Sequence, residues 1–183
     1  PKVYIKHDVP KQELKRKWAY DDDLLTYLSR EIENQNGPTV VFLHLNGSHI
    51  AWRDCAPKEY QRFPQAELAI HENAETLRNS YDNSIIFTDA ILGQAVTLLK
   101  NINRPTCLFY FSDHGDTPSS GKTRVATSKE TWNIPAILWC SPEYMFNNTS
   151  LWQSEKENEA LPMRSEVFFD LVQRLCGVQY KYE

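Results

Sequence analysis

The run Ser112-Asp113-His114-Gly115-Asp116 follows directly on the apolar stretch Thr106–Phe111. Asp offers a hard oxygen and His a borderline nitrogen, a mixture that suits zinc or manganese. Adjacent residues point to opposite faces of a regular strand, but where the strand breaks into a turn both can converge on one ion. Gly115 permits a tight backbone path there. The alternative reading is a structural turn in which Asp113 caps the next segment and His114 packs or is solvated. A second group, His44-Leu45-Asn46-Gly47-Ser48-His49, ends another apolar run. His44 lies within the run and reads as a hydrogen-bonded core residue. His49 lies beyond the turn, where it can meet a metal or an anionic group. Ser48 lacks the flanking glycines of a nucleophile elbow, so a serine hydrolase is disfavoured.

Two further stretches carry polar groups without a clear chemical assignment. In Tyr81-Asp82-Asn83-Ser84-Ile85-Ile86-Phe87-Thr88-Asp89, Asp82 and Asp89 share a helix face. The expected role is structural, with polar contacts to neighbouring loops. Gly121-Lys122-Thr123 looks like the tail of a phosphate loop, but the required upstream glycine is replaced by Asp116, so that motif is rejected.

Elements must place these groups. Asp21 to Glu33 reads as a helix, with Asp21, Asp22 and Asp23 at the positive end of its dipole and Leu24, Leu25, Leu28 and Ile32 on one face. Gly37-Pro38 stops it. Thr39–Leu45, Thr106–Phe111 and Ile134–Cys140 are continuous apolar runs, the pattern of strands buried on both faces. Leu77–Lys100 has a helical period through Leu77, Tyr81, Ile85, Leu92, Val96 and Leu99. Arg164–Cys176 is a last helix, stopped by Gly177. Val3–Ile5 is a short strand candidate in a connector or edge. Residues 50–76 are a long excursion with a short helix near Pro64–Ile70. Residues 116–131 are loop-like, and residues 143–162 polar and irregular.

The order predicts an α/β fold, a mainly parallel sheet flanked by helices. Ligands of such folds gather at the carboxyl ends of strands. Asn46–His49 and Ser112–Asp116 are the two polar, Gly-containing strand exits.

Composition bounds the remaining classes. The 183 residues suit one domain or part of a larger one. The 20 Lys and Arg against 24 Asp and Glu leave a net charge of −4, which gives no reason to bind nucleic acid. No apolar run approaches the ~20 residues of a membrane helix. Cys55, Cys107, Cys140 and Cys176 form no CxxC, and Cys107 and Cys140 read as small hydrophobes within strands. No disulfide framework is expected.

Taken in order, these segments resemble the alkaline-phosphatase superfamily, and within it the sulfatase-like phosphoethanolamine transferases. Asp21-Asp22-Asp23-Leu24-Leu25 looks like the family's acidic helix start. Phe42–His49 looks like its Leu-His-x-x-Gly-Ser-His block, and Tyr60-Gln61-Arg62-Phe63-Pro64 like its Tyr-x-Arg-Tyr-Pro. Ser80–Asp89 is similar to its Tyr-Asp-Asn-Thr/Ser helix. Phe111-Ser112-Asp113-His114-Gly115 is similar to its metal block, and Ile134-Pro135 to the Val-Pro before its next strand.

The resemblance implies a zinc-dependent enzyme, with manganese or calcium as alternatives. A threonine nucleophile takes phosphoethanolamine from a phospholipid donor and passes it to an envelope glycolipid acceptor. Asp113 and His114 match two metal ligands; His49 and His44 match histidines lining the phosphate or a second metal. The sequence departs from the pattern in three places. No histidine occurs near Val125-Ala126-Thr127, Asp116 stands where the family has Glu, and no loop cysteines lie between Phe63 and Ser80.

The chain is therefore expected to be a C-terminal portion of a sulfatase-like catalytic domain: connector 1–19, core 20–177, tail 178–183. The nucleophile, one ligand and the membrane helices are expected upstream, so this chain alone is expected to be inactive. The parent enzyme is expected on the periplasmic face of the inner membrane. The competing readings are a sulfatase-like or phosphodiesterase hydrolase of the same superfamily, and a non-catalytic α/β binding module.

Overall fold

The computed structural model describes residues 2–5 by their backbone, and residues 10–11, 14, 16–34, 37–118 and 128–178. Gly121-Lys122-Thr123 and Val125-Ala126-Thr127 lie outside them. The elements run β1 (Lys2–Ile5), α1 (Leu24–Glu33), β2 (Val41–His44), α2 (Ala74–Lys100), β3 (Cys107–Phe111), α3 (Lys129–Trp132), β4 (Ala136–Cys140), α4 (Pro142–Asn147), α5 (Thr149–Glu157) and α6 (Val167–Leu175). They divide into two compact units, Pro1–Leu98 with Ser112–Pro135, and Leu99–Phe111 with Ala136–Glu183.

In the first unit β1 and β2 pair in parallel, with Lys2 opposite Val41 and Ile5 opposite His44. The connection between them carries α1, as a parallel pair requires. Leu24, Leu25 and Leu28 bury the inner face of α1. A 3₁₀ turn, Asp21–Asp23, precedes the helix. Its three carboxylates do three different things. Asp21 accepts the backbone N–H groups of Asn46 and Gly47, both at 2.8 Å. Asp22 accepts the Arg16 guanidinium at 3.0 Å. Asp23 accepts the Tyr20 N–H at 3.1 Å and so closes the start of the 3₁₀ turn. Successive side chains of a 3₁₀ turn stand about 120° apart, which is why neighbours face different partners.

Helix α2 begins three residues earlier than its apolar period suggests, because Asn73 caps it. The Asn73 side-chain oxygen accepts from the N–H groups of Glu75 and Thr76 at 3.0 Å, and the Asn73 N–H donates to the Thr76 hydroxyl at 2.9 Å. The buried face also differs from the expected one. It runs through Ser80, Asn83, Ser84, Phe87, Thr88, Ile91 and Ala95, while Ile85 is exposed. The hydroxyls can be buried because they donate back to helix carbonyls: Ser80 to Thr76, Ser84 to Tyr81 and Thr88 to Ser84. Phe87 anchors this face, with the Tyr20 ring edge-on at 6.0 Å and the Tyr60 ring at 4.8 Å.

In the second unit β3 and β4 pair antiparallel, from Cys107 opposite Cys140 to Phe111 opposite Ala136. The expectation of parallel pairing thus holds for β1 and β2 and not for this ladder. Phe168 of α6 packs against Phe109 and Phe111, at 5.2 and 4.8 Å between ring centroids. Leu171 is buried one turn on. The stretch expected to be irregular, 143–162, instead forms α4 and α5. Ser141 caps α4, accepting the Tyr144 N–H, and Pro142 occupies the first turn.

The strands are not buried on both faces as expected. Phe42, Phe111 and Ile137 are each 44–46% exposed. A two-stranded ladder has only one neighbour per strand, so apolar side chains that a larger sheet would cover stay half in water. Among the described residues no helix is long and apolar enough to cross a membrane.

Candidate metal centre

The first unit holds both polar strand exits. The turn after β2 is built around Gly47, whose φ of 54° lies in the left-handed region that glycine adopts without strain. Asp21 grips this turn through Asn46 and Gly47, and the Ser84 hydroxyl of α2, whose own proton goes to the Tyr81 carbonyl, accepts from the Ser48 hydroxyl at 2.7 Å. The buried Cys55 thiol donates to the His49 carbonyl at 2.8 Å. His49 is therefore carried on a turn held from three sides. Its imidazole is exposed, with Nδ1 2.7 Å from the Ile50 carbonyl. A carbonyl only accepts, so Nδ1 carries the proton and Nε2 presents its lone pair.

His114 repeats that arrangement. Its Nδ1 lies 2.9 Å from the Gly115 carbonyl, so Nδ1 donates and Nε2 is again the lone-pair nitrogen. Nε2 stands 3.8 Å from Oδ2 of Asp113. Two ligands bonded to one tetrahedral zinc at ~2.1 Å lie about 3.4 Å apart, so a small side-chain adjustment lets both reach one ion. Asp113 is largely exposed, and its Oδ1 also accepts the His114 N–H at 3.0 Å. The Ser112 hydroxyl donates to the His114 carbonyl at 2.6 Å and tightens the turn.

Gly115 is required here for space. Its N–H donates to the Thr131 carbonyl at 2.8 Å, and a Cβ at this position would meet the Glu130 carbonyl oxygen at 2.0 Å. The backbone beside His114 thus packs directly against α3.

The two exits are tied together. Trp52, three residues after His49, is 3% exposed and donates its indole N–H to the Asp116 carboxylate at 3.2 Å. The Trp52 ring meets Tyr81 of α2 edge-on at 5.4 Å. Burial pushes the Tyr81 hydroxyl above its ordinary pKa, and the charges of Asp116 and Asp82 push it further the same way. Asn83, fully buried, clamps the following loop to α2. Its oxygen accepts the N–H groups of Arg62 and Phe63 at 2.8 and 2.9 Å, and its amide donates to the Phe63 carbonyl and to Gln65. The expected polar contacts of this helix with neighbouring loops are present at Asn83 and Ser84.

Of the sequence-derived residues, Asp113 and His114 form a close pair. His44 ends β2 with an exposed side chain, not the buried one expected of a core histidine, because it lies on the uncovered face shared with Phe42. No group of three or more His, Cys, Asp or Glu side chains that could hold a metal ion occurs among the described residues. Two ligand-type side chains at one turn fit a partial zinc site. Residue types alone did not single out Asp21, Trp52 or Asp116 as supports. Asp21 was hidden among three acidic residues, and Trp52 lay in a stretch without periodicity.

Residues 3–154 match the model of the sulfatase family. The chain belongs to the sulfatase family. This sulfatase-family chain is 27% identical over 184 residues to phosphoethanolamine transferase EptA of Escherichia coli K12, an alignment covering 90% of the chain and 32% of EptA. The soluble domain of lipooligosaccharide phosphoethanolamine transferase A from Neisseria meningitidis superposes with a TM-score of 0.80 at 19% identity, covering 96% of the chain and 61% of that domain. The C-terminal periplasmic domain of E. coli EptC, in complex with Zn, superposes with a TM-score of 0.61 at 23% identity, covering 77% of the chain and 42% of that domain. These likenesses show the fold to be α/β and alkaline-phosphatase/sulfatase-like. The chain spans 21–32% of the length of curated relatives it matches.

Proposed function

We propose that this chain is part of a metal-dependent phosphoethanolamine transferase that acts on a cell-envelope lipid or glycan. The observation that carries the reading is the Asp113–His114 pair, with Nε2 of His114 held toward the carboxylate by the Gly115 carbonyl. Named relatives support the choice of group transferred: EptA is a phosphoethanolamine transferase, and the meningococcal enzyme acts on lipooligosaccharide. Zinc is the proposed metal, supported by the donor types and by the zinc complex of EptC.

Asp113 and His114 would hold the metal, which when bound neutralises charge on a transferring phosphoryl group and lowers the pKa of a coordinated hydroxyl. His49, with its exposed Nε2, and His44 at the end of β2 are proposed to meet the phosphate or a second metal. Trp52 and Asp116 keep the two turns in register. The donor is proposed to be a phospholipid and the acceptor an envelope glycolipid, on the periplasmic face of the inner membrane and with a membrane anchor outside this chain. The chain alone is proposed to be inactive, its threonine nucleophile lying elsewhere in the parent protein.

Zinc titration of the chain by calorimetry tests the assignment. Weak binding is expected, with at least a tenfold loss in His114→Ala and in Asp113→Asn. Equal affinity in wild type and His114→Ala overturns the metal assignment. In the parent protein, His114→Ala is expected to abolish transfer from a fluorescent phosphatidylethanolamine. Release of phosphoethanolamine to water, with no acceptor product, would instead establish a hydrolase.

A further inference from the structure

Three of the four cysteines belong to the second unit, and two of them face each other across its ladder. Cys107 begins β3 and Cys140 ends β4, and they are direct cross-strand partners. The adjoining pair identifies the kind of position they hold. The Ser141 N–H donates to the Thr106 carbonyl at 2.8 Å, so Thr106 and Ser141 form a hydrogen-bonded position. Positions alternate along an antiparallel ladder, which makes Cys107 and Cys140 a non-hydrogen-bonded pair. Such pairs have the closest side chains, with Cα atoms about 4.5 Å apart. A disulfide needs roughly 4.4–6.8 Å between Cα atoms. The backbone therefore need not move for these two sulfurs to bond.

We propose that Cys107 and Cys140 are a dithiol site that closes to a cross-strand disulfide when met by a small-molecule disulfide oxidant. One thiolate of the pair attacks a sulfur of the oxidant, breaks its S–S bond and expels one thiolate. The second cysteine then attacks the resulting mixed disulfide and expels the other. One S–S bond is made and one broken, two electrons pass to the oxidant, and the two protons of the pair leave with its two thiols.

The surroundings are consistent with this chemistry. The Cys107 thiol interacts with Cys140, which with burial pushes its pKa up, while the same contact draws that of Cys140 down. Hydrogen bonding of one thiol to the other stabilises a thiolate on Cys140. Cys140 is buried, and the half-buried Cys107 offers the way in. Tyr144 lies against the pair, and its hydroxyl donates to the Leu175 carbonyl at 2.8 Å beside the exposed Cys176. The segment enclosed by the bond includes Ser112–Asp116, so closure would join the two ends of the stretch that carries Asp113 and His114. The proposal does not depend on the transferase reading.

Oxidation of the intact chain by oxidised glutathione in native buffer tests it, followed by alkylation, proteolysis and mass spectrometry. The expected product is one internal Cys107–Cys140 link, with Cys55 still alkylated. The link is expected to persist in Cys176→Ser, to disappear in Cys140→Ser, where Cys107 stops at a glutathione adduct, and to lose its selectivity in urea. Circular dichroism establishes that each variant is folded. A dominant link to Cys176 or Cys55 overturns the proposal, as does a folded Cys176→Ser chain whose Cys107 and Cys140 remain separate thiols.

Discussion

The indole N–H of Trp52 donates to the carboxylate of Asp116 at 3.2 Å, joining residues 64 positions apart. This bond couples the turn that carries His49 to the turn that carries His114. Trp52→Phe keeps an aromatic ring against Tyr81 and removes only the donor. We expect it to cost about 1–3 kcal/mol in urea unfolding, the range for a hydrogen bond to a charged group or a buried group left unpaired. We also expect weaker zinc binding. A variant as stable as wild type would show that the bond contributes nothing to holding the turns.

Asp21 acts on the other side of the His49 turn. Asp21→Ala leaves the N–H groups of Asn46 and Gly47 without the carboxylate that accepts both. A loss of roughly 2–4 kcal/mol is expected, together with faster amide hydrogen exchange at Asn46 and Gly47. Unchanged exchange at those two amides would remove Asp21 from the supports of the turn.

Gly115→Ala tests the close approach of two backbones. The new methyl would lie 2.0 Å from the Glu130 carbonyl oxygen, so the Asp113–His114 turn must move away from α3. A destabilisation of about 1–3 kcal/mol is expected, the usual cost of overpacking, and zinc affinity should fall with it. Wild-type stability and zinc affinity together would refute the packing argument.

Tyr81 predicts a pH dependence at the alkaline end. Burial raises its pKa in the folded chain, as do Asp116 and Asp82. The unfolded chain then gives up this proton first, near pH ~10. The stabilisation from neutral Tyr81 is complete below that value and is lost as pH rises through the folded pKa. Tyr81→Phe is expected to flatten the decline in urea stability above about pH 10. A phenolate absorbance titration in which no tyrosine ionises late would contradict the assignment.

Much of the architecture was legible because its signals are local. Apolar runs marked β2, β3 and β4, helical periods marked α1, α2 and α6, and the Gly-containing exits marked where polar groups gather. Other features were not legible. The buried face of α2 follows Ser80, Asn83, Ser84 and Phe87 and not the apolar line through Ile85, because hydroxyls that donate to their own helix can be buried cheaply. Helices α4 and α5 lie in a stretch too short and polar for its period to stand out, and Ser141 supplies the start of α4 through a cap.

Residue order alone placed Asp113 beside His114, and the turn before Gly115 leaves the imidazole 3.8 Å from the carboxylate. It also placed His49 just beyond a glycine turn. The choice of imidazole nitrogen is likewise short-range, since each Nδ1 bonds the carbonyl of the next residue. Which side chains hold these turns was decided only by the folded chain. Asp21 reaches Asn46 across 25 positions and Trp52 reaches Asp116 across 64. Both are polar contacts whose partners have no fixed sequence spacing. They arise because tertiary packing brings part-buried donors and carboxylates together, where leaving either unpaired is costly.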